Sequence, residues 1–102
     1  MNFPIDSPET LGQVIRAARK ALDLRQDDAA GIIGVSENFL GKVERGGETV
    51  QWGKLFQVME QLGLKMSVEV PDAAASAAWE NFIRLRNKAA HDIGSTNRGN
   101  RS

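Results

Sequence analysis

The chain has 102 residues, 41% hydrophobic and 25% charged, with 13 basic against 13 acidic side chains; this is the size of one small domain, too short for two hydrophobic cores. Cys and Tyr are absent and His91 is the single histidine, which excludes disulfides and thiolate chemistry and leaves little scope for His-based triads, so neither a cofactor nor a metal is expected. No apolar run approaches the ~20 residues of a membrane span and the first residues lack a signal-peptide pattern, so a cytoplasmic location is expected, while a net charge of zero counts against a nucleic-acid binder.

Residues 1–7 read as an N-terminal arm. Ser7-Pro8-Glu9 then combines an N-cap, a proline at the first helical position and an acid in the first turn. Leu11, Val14, Ile15, Ala18 and Leu22 follow at helical spacing, with Arg16, Arg19 and Lys20 largely off that stripe. Gln26 to Ile33 reads as a short second helix with Ala29, Ala30, Ile32 and Ile33 inward, stopped by Gly34. Ser36 caps a third helix running to about Arg45, with Phe39, Leu40 and Val43 inward and Gly46-Gly47 after it. Thr49 is the expected cap of a fourth, in which Leu55, Val58, Met59 and Leu62 keep helical spacing up to Gly63. Trp52 reads as packing, against this helix or a dimer partner. These four helices make a domain over residues 8–63.

At Leu64 the period changes to two. Leu64, Met66, Val68 and Val70 alternate with Lys65, Ser67 and Glu69, the pattern of a half-buried strand, and Pro71 closes it. A lone strand has no sheet to join, so residues 64–71 predict a dimerisation strand that pairs with its own copy in a homodimer. Residues 72–102 form a C-terminal tail. Trp79, Phe82 and Ile83 at helical spacing make a fifth helix plausible to about residue 91, and the Gly, Ser, Asn and Arg of 94–102 predict disorder. The Trp79, Phe82 and Ile83 stripe suits docking on a partner or packing back on the dimer, with a disordered extension the remaining alternative. His91 reads as a surface residue.

Charge by region changes the meaning of the net zero. Residues 10–50 hold six basic and six acidic side chains, whereas 73–102 carry a basic surplus of three. A balanced domain still binds DNA if its basic groups face one way, and two copies double that face.

The run from Leu24 to Gly46, LRQDDAAGIIGVSENFLGKVERG, resembles the helix-turn-helix of the lambda-repressor-like, Xre-type family. The matching features are Gln26 opening the first motif helix, small Ala30 where two helices touch, the Gly34-Val35-Ser36 turn, the Phe39-Leu40 pair and the Glu44-Arg45-Gly46 ending. Each has a physical reason: Ala30 permits a close crossing, Gly34 accepts the turn conformation, and Ser36 caps the next helix while offering a hydroxyl to phosphate. The resemblance implies that the second motif helix enters the major groove with Glu37, Asn38 and Lys42 against base edges and Gly41 leaving room for approach. It implies phosphate contacts by Arg25, Gln26, Ser36 and Arg45, and a structural ion pair between Arg19 and Glu44. The bland alternative makes Glu37 and Asn38 a solvated helix start. Arg25 departs from the family's usual Thr or Ser cap, and Gly31 lies inside a helix; each weakens the second helix by about 1 kcal/mol.

The fourth helix followed directly by a strand, Leu55 to Val70, resembles the HipB-type antitoxins. That resemblance implies a dimeric repressor of palindromic operators that autoregulates its operon and neutralises a HipA-like Ser/Thr kinase toxin. The alternatives are a stand-alone Xre-type regulator and a protein-interaction module that has lost DNA binding. An enzyme is not supported: Gly47 and Gly53-Lys54 miss the phosphate-loop spacing, Leu55 stands where Ser or Thr is needed, and no nucleophile with a base appears.

Overall fold

The computed structural model describes residues 1–101, with side chains through Ala90. The chain divides into two units, Met1–Met66 and the residues from Ser67 onward. The first holds α1 (Pro8–Ala21), α2 (Gln26–Ile33), α3 (Glu37–Glu44) and α4 (Trp52–Gln61); the second holds α5 (Asp72–Arg101).

Serine caps set two of the helix starts. Ser7 Oγ accepts the Thr10 N–H at 3.1 Å at the head of α1, and Ser36 Oγ accepts the Phe39 N–H at 3.0 Å at the head of α3, as N-cap serines do. The start of α4 differs from expectation. Its N-cap is Gln51 with no side-chain cap bond, two residues after Thr49. Val50, packed half-buried against the core, pins the chain there, and the helix begins only beyond it.

The helix ends in the first unit share one geometry. A residue with positive φ (Asp23, Gly34, Gly46 or Gly63) follows each helix. The next N–H then turns back to a carbonyl five residues earlier: Leu24 to Arg19 at 3.4 Å, Val35 to Ala30 at 3.0 Å, Gly47 to Lys42 at 2.9 Å and Leu64 to Met59 at 2.8 Å. This closure satisfies orphan carbonyls, and glycine favours it because the left-handed region is open to it. Asp23, at φ 58°, does so at some strain.

The core is Ile15, Ala29, Ala30, Ile33, Leu40, Val43, Leu55, Val58 and Met59. Gly12 is the close crossing: a Cβ there would lie 2.6 Å from the Val43 carbonyl oxygen and 2.7 Å from that of Glu44, so α1 lies against the backbone of α3. Ile32 and Leu22, expected inward, are instead exposed. With Ala29, Ala30 and Ile33 facing the core, Ile32 is turned about 100° away, and Leu22 is the C-cap of α1, where the helical stripe has ended. Trp52 is also exposed and meets Phe56 of its own helix, ring centroids 5.9 Å apart.

Residues 64–71 have no regular secondary structure, which corrects the predicted strand. A strand exists through bonds to a neighbouring strand, and among the described residues a single chain offers none. Leu64 packs against the core, while Met66, Val68 and Val70 are exposed. In the second unit α5 continues to Arg101 rather than ending near 91. The expectation for the His91 side chain lies outside the described residues, as does that for Ser102. Trp79 and Phe82 stack on α5 with centroids 5.7 Å apart, Arg86 lies over the Phe82 ring, and Ile83 is half-buried beside them. No described helix is long and apolar enough to cross a membrane.

Candidate nucleic-acid interface

Helix α3 divides cleanly into two faces. Leu40, Gly41, Val43 and Glu44 are buried, whereas Glu37, Asn38, Lys42 and Arg45 are exposed. Asn38, Lys42 and Arg45 stand four and three residues apart, so they form one row along the outer face. Ser36, exposed, is the N-cap of the same helix. Its Oγ accepts from Phe39, leaving the hydroxyl proton free to donate. An amide, an ammonium and a guanidinium in a row supply donors and an acceptor suited to base edges and phosphates.

Gly41 lies elsewhere. It is buried, and a Cβ on it would meet Arg45 Nη1 at 3.0 Å and Gln26 Oε1 at 3.3 Å, so the space above it is filled by two side chains of the chain itself. Gln26, half-buried at the first position of α2, donates from Nε2 to Glu44 Oε1 at 3.1 Å. Glu44 also accepts from Arg19, and Arg19 Nη1 donates to the Leu24 carbonyl at 2.8 Å. Burial pushes the Glu44 carboxyl up; the hydrogen bonds from Arg19 and Gln26 and the charge of Arg19 outweigh it and hold the group below the usual carboxylate range. The Arg19 guanidinium is held above its usual value, chiefly by its hydrogen bond to Glu44. Arg19 and Glu44 are therefore scaffold, and they fix the Gln26 amide at the base of the surface.

A shallow cleft beside this network is lined by Gln13, Arg16, Arg19, Gln26, Glu44 and Arg45. It brings the exposed Arg16 and Arg45 together with two amides, a set that can hold an anion. Arg25 is exposed and paired with Asp27. Sequence reasoning missed Gln13, Arg16 and Lys54 as members of this surface. Lys54 Nζ lies 5.8 Å from the centre of the Phe39 ring, which places a cation of α4 beside the first turn of α3. The signal for Arg16 was its place off the apolar stripe of α1; Lys54 had none, because its neighbour is distant in sequence. Among the described residues no cluster of acidic or His side chains could hold a metal ion.

A helix-turn-helix family profile matches residues 15–68. The chain is 39% identical over 67 residues to y4mF of Sinorhizobium fredii (strain NBRC 101917 / NGR234), named an uncharacterized HTH-type transcriptional regulator; the alignment covers 66% of this chain and 88% of that one. Its fold is similar to that of a HipA-HipB-O2-O3 complex structure, with TM-score 0.62 and 20% identity over 70% of this chain and all of the matched chain. It is also similar to the restriction-modification controller protein C.AhdI from Aeromonas hydrophila, with TM-score 0.51 and 28% identity over 57% of this chain and 88% of the other. Together with the two-faced α3, its serine cap and the glycine turn before it, these matches place the chain in the Xre-like helix-turn-helix family.

Proposed function

We propose that the chain is a sequence-specific DNA-binding transcriptional repressor whose α3 reads the major groove of a palindromic operator. The exposed row of Asn38, Lys42 and Arg45 on a helix capped by Ser36 carries this reading. Asn38 pairs with adenine, Lys42 with guanine, and Glu37 accepts from cytosine, while Ser36, Arg45, Gln26 and Arg25 hold the backbone. The protein acts as a homodimer in which residues 64–70 pair with their own copy. Support for that comes from Met66, Val68 and Val70, which alternate in sequence and stay exposed in the single chain. Such a regulator works where its operator lies, in the cytoplasm at the nucleoid, and needs neither cofactor nor catalysis.

The finer role is that of an antitoxin that represses its own operon and neutralises a HipA-like kinase, with Trp79, Phe82 and Ile83 of α5 docking on the toxin. The fold likeness to HipB chains, one of them in complex with HipA, supports it. A stand-alone regulator is the second reading, favoured by y4mF, named simply as a transcriptional regulator, and by the likeness to C.AhdI. Binding to the DNA upstream of the chain's own reading frame tests the core reading. Asn38→Ala and Lys42→Ala each weaken it by about 1–3 kcal/mol if they touch bases. Unchanged binding in both variants rejects the assignment of α3. Co-purification with a kinase encoded next to it, lost in Trp79→Ala, separates antitoxin from stand-alone regulator.

A further inference from the structure

Arg25 does not stand free at the start of α2. Its Nε donates to Asp27 Oδ1 at 3.1 Å and its Nη2 to Asp27 Oδ2 at 2.7 Å, so one edge of the guanidinium is filled by a carboxylate. That two-bond fork is the geometry by which arginine takes two oxygens of a phosphate. Asp27 is itself fixed, because Oδ1 also accepts the Asp28 N–H at 2.9 Å. Arg25 is the N-cap residue of α2 and makes no side-chain cap bond, so the acid supplies the oxygen that a capping Thr or Ser would otherwise bring. The carboxylate thus combines two features of a phosphate site, an arginine fork and a backbone N–H at a helix N-terminus. Both side chains are well exposed, at 78% for Arg25 and 41% for Asp27, so the pair exchanges readily with anions from solution.

We propose that Asp27 is an internal competitor for phosphate at Arg25, lowering the sequence-independent part of DNA affinity so that the base contacts of α3 decide where the chain binds. The inference rests on the DNA-binding reading above. Its logic is one of difference: specificity rises when contacts common to all sequences are weakened and those particular to one are kept. The balance of six basic and six acidic side chains over residues 10–50 has the same direction, and here one of those acids sits on one of those bases.

Fluorescence anisotropy of the full chain with a mixed-sequence duplex of about 30 base pairs, between roughly 50 and 200 mM salt, tests this. Asp27→Asn keeps an oxygen for the Asp28 N–H and loses the charge; Asp27→Ser is the second variant should the first melt early. Asp27→Asn tightens mixed-sequence binding about two- to fivefold per protomer at the lower salt and steepens the log–log salt slope by about one per protomer. The gain disappears in an Arg25→Ala background, and Asp28→Asn, on the neighbouring acid outside the pair, gives less. An equal gain with and without Arg25 overturns the proposal, since the effect would then be simple removal of an acid. No gain from either Asp27 variant while the wild type binds also overturns it. A wild type that binds neither this duplex nor its own upstream DNA overturns the DNA-binding reading, and this inference with it.

Discussion

Arg19 and Glu44 form a buried, two-bond ion pair that joins α1 to the last turn of α3, with Nε to Oε2 at 2.6 Å and Nη2 to Oε1 at 2.9 Å. Their side chains are 9% and 3% exposed. Either partner alone would be a charge in the interior, so the pair stands or falls together. Removing one costs roughly 3–5 kcal/mol. Glu44→Gln should therefore lower the urea midpoint strongly at neutral pH. The acid side has its own signature. A carboxyl depressed on folding contributes stability that is complete above its unfolded pKa, about 4.3, and is lost as pH falls through the folded value. Wild-type stability thus declines below about pH 4.3, and Glu44→Gln should flatten that part of the profile. A profile with the same acid slope in the variant would remove Glu44 as its source.

Helix α2 has a glycine in its interior and no cap bond from its N-cap side chain, and it can be repaired. A Cβ on Gly31 meets nothing within 4 Å. Gly31→Ala should raise stability by about 0.8–1 kcal/mol, seen as a higher thermal midpoint. Asp23→Gly, at the left-handed end of α1, should also stabilise, by up to about 1 kcal/mol, because a side chain there is strained. A fall in midpoint with Gly31→Ala would mean that position 31 has a neighbour when folded.

Lys54 predicts a separable effect on DNA binding. Its position beside Phe39 places its charge at the edge of the surface built by α3. Lys54→Ala should reduce the log–log salt slope of operator binding by about 0.9 per protomer and weaken all sequences alike. Its melting temperature should hardly move, since the side chain is exposed. A loss confined to one operator sequence would instead make Lys54 a base contact.

The proposed homodimer rests on residues 64–71 finding a backbone partner in a second copy. Val68→Pro removes a donor from the middle of that segment and should yield a monomer in sedimentation without lowering the first unit's thermal midpoint. A dimer that survives Val68→Pro would place the contact elsewhere.

The legible part of this fold was local. Ser7, Gly34, Ser36 and Gly63 each act within five residues of themselves, through a cap bond or a left-handed turn, and each stands where the sequence predicted. The Arg19–Glu44 pair spans 25 residues and was legible only through resemblance. Thr49 failed as a cap because Val50, one residue on, is held by the core, a tertiary effect that no cap preference contains. The alternation over 64–71 was read as a strand, yet the segment has no regular secondary structure, because an alternating pattern forms a strand only against a neighbouring one and none is present among the described residues. In the site, Asn38 and Lys42 were named only through the resemblance, and both are exposed on α3. Gly41 was named in the same way but is buried, since only the folded chain brings Gln26 and Arg45 over it. Lys54 was missed for the same reason.

Among the described residues every buried core side chain lies between Ile15 and Met59, and Leu64 is the last one packed against them. The described core of the first unit is drawn from residues of that unit. Substitutions at those core positions answer to packing before they answer to any bound partner.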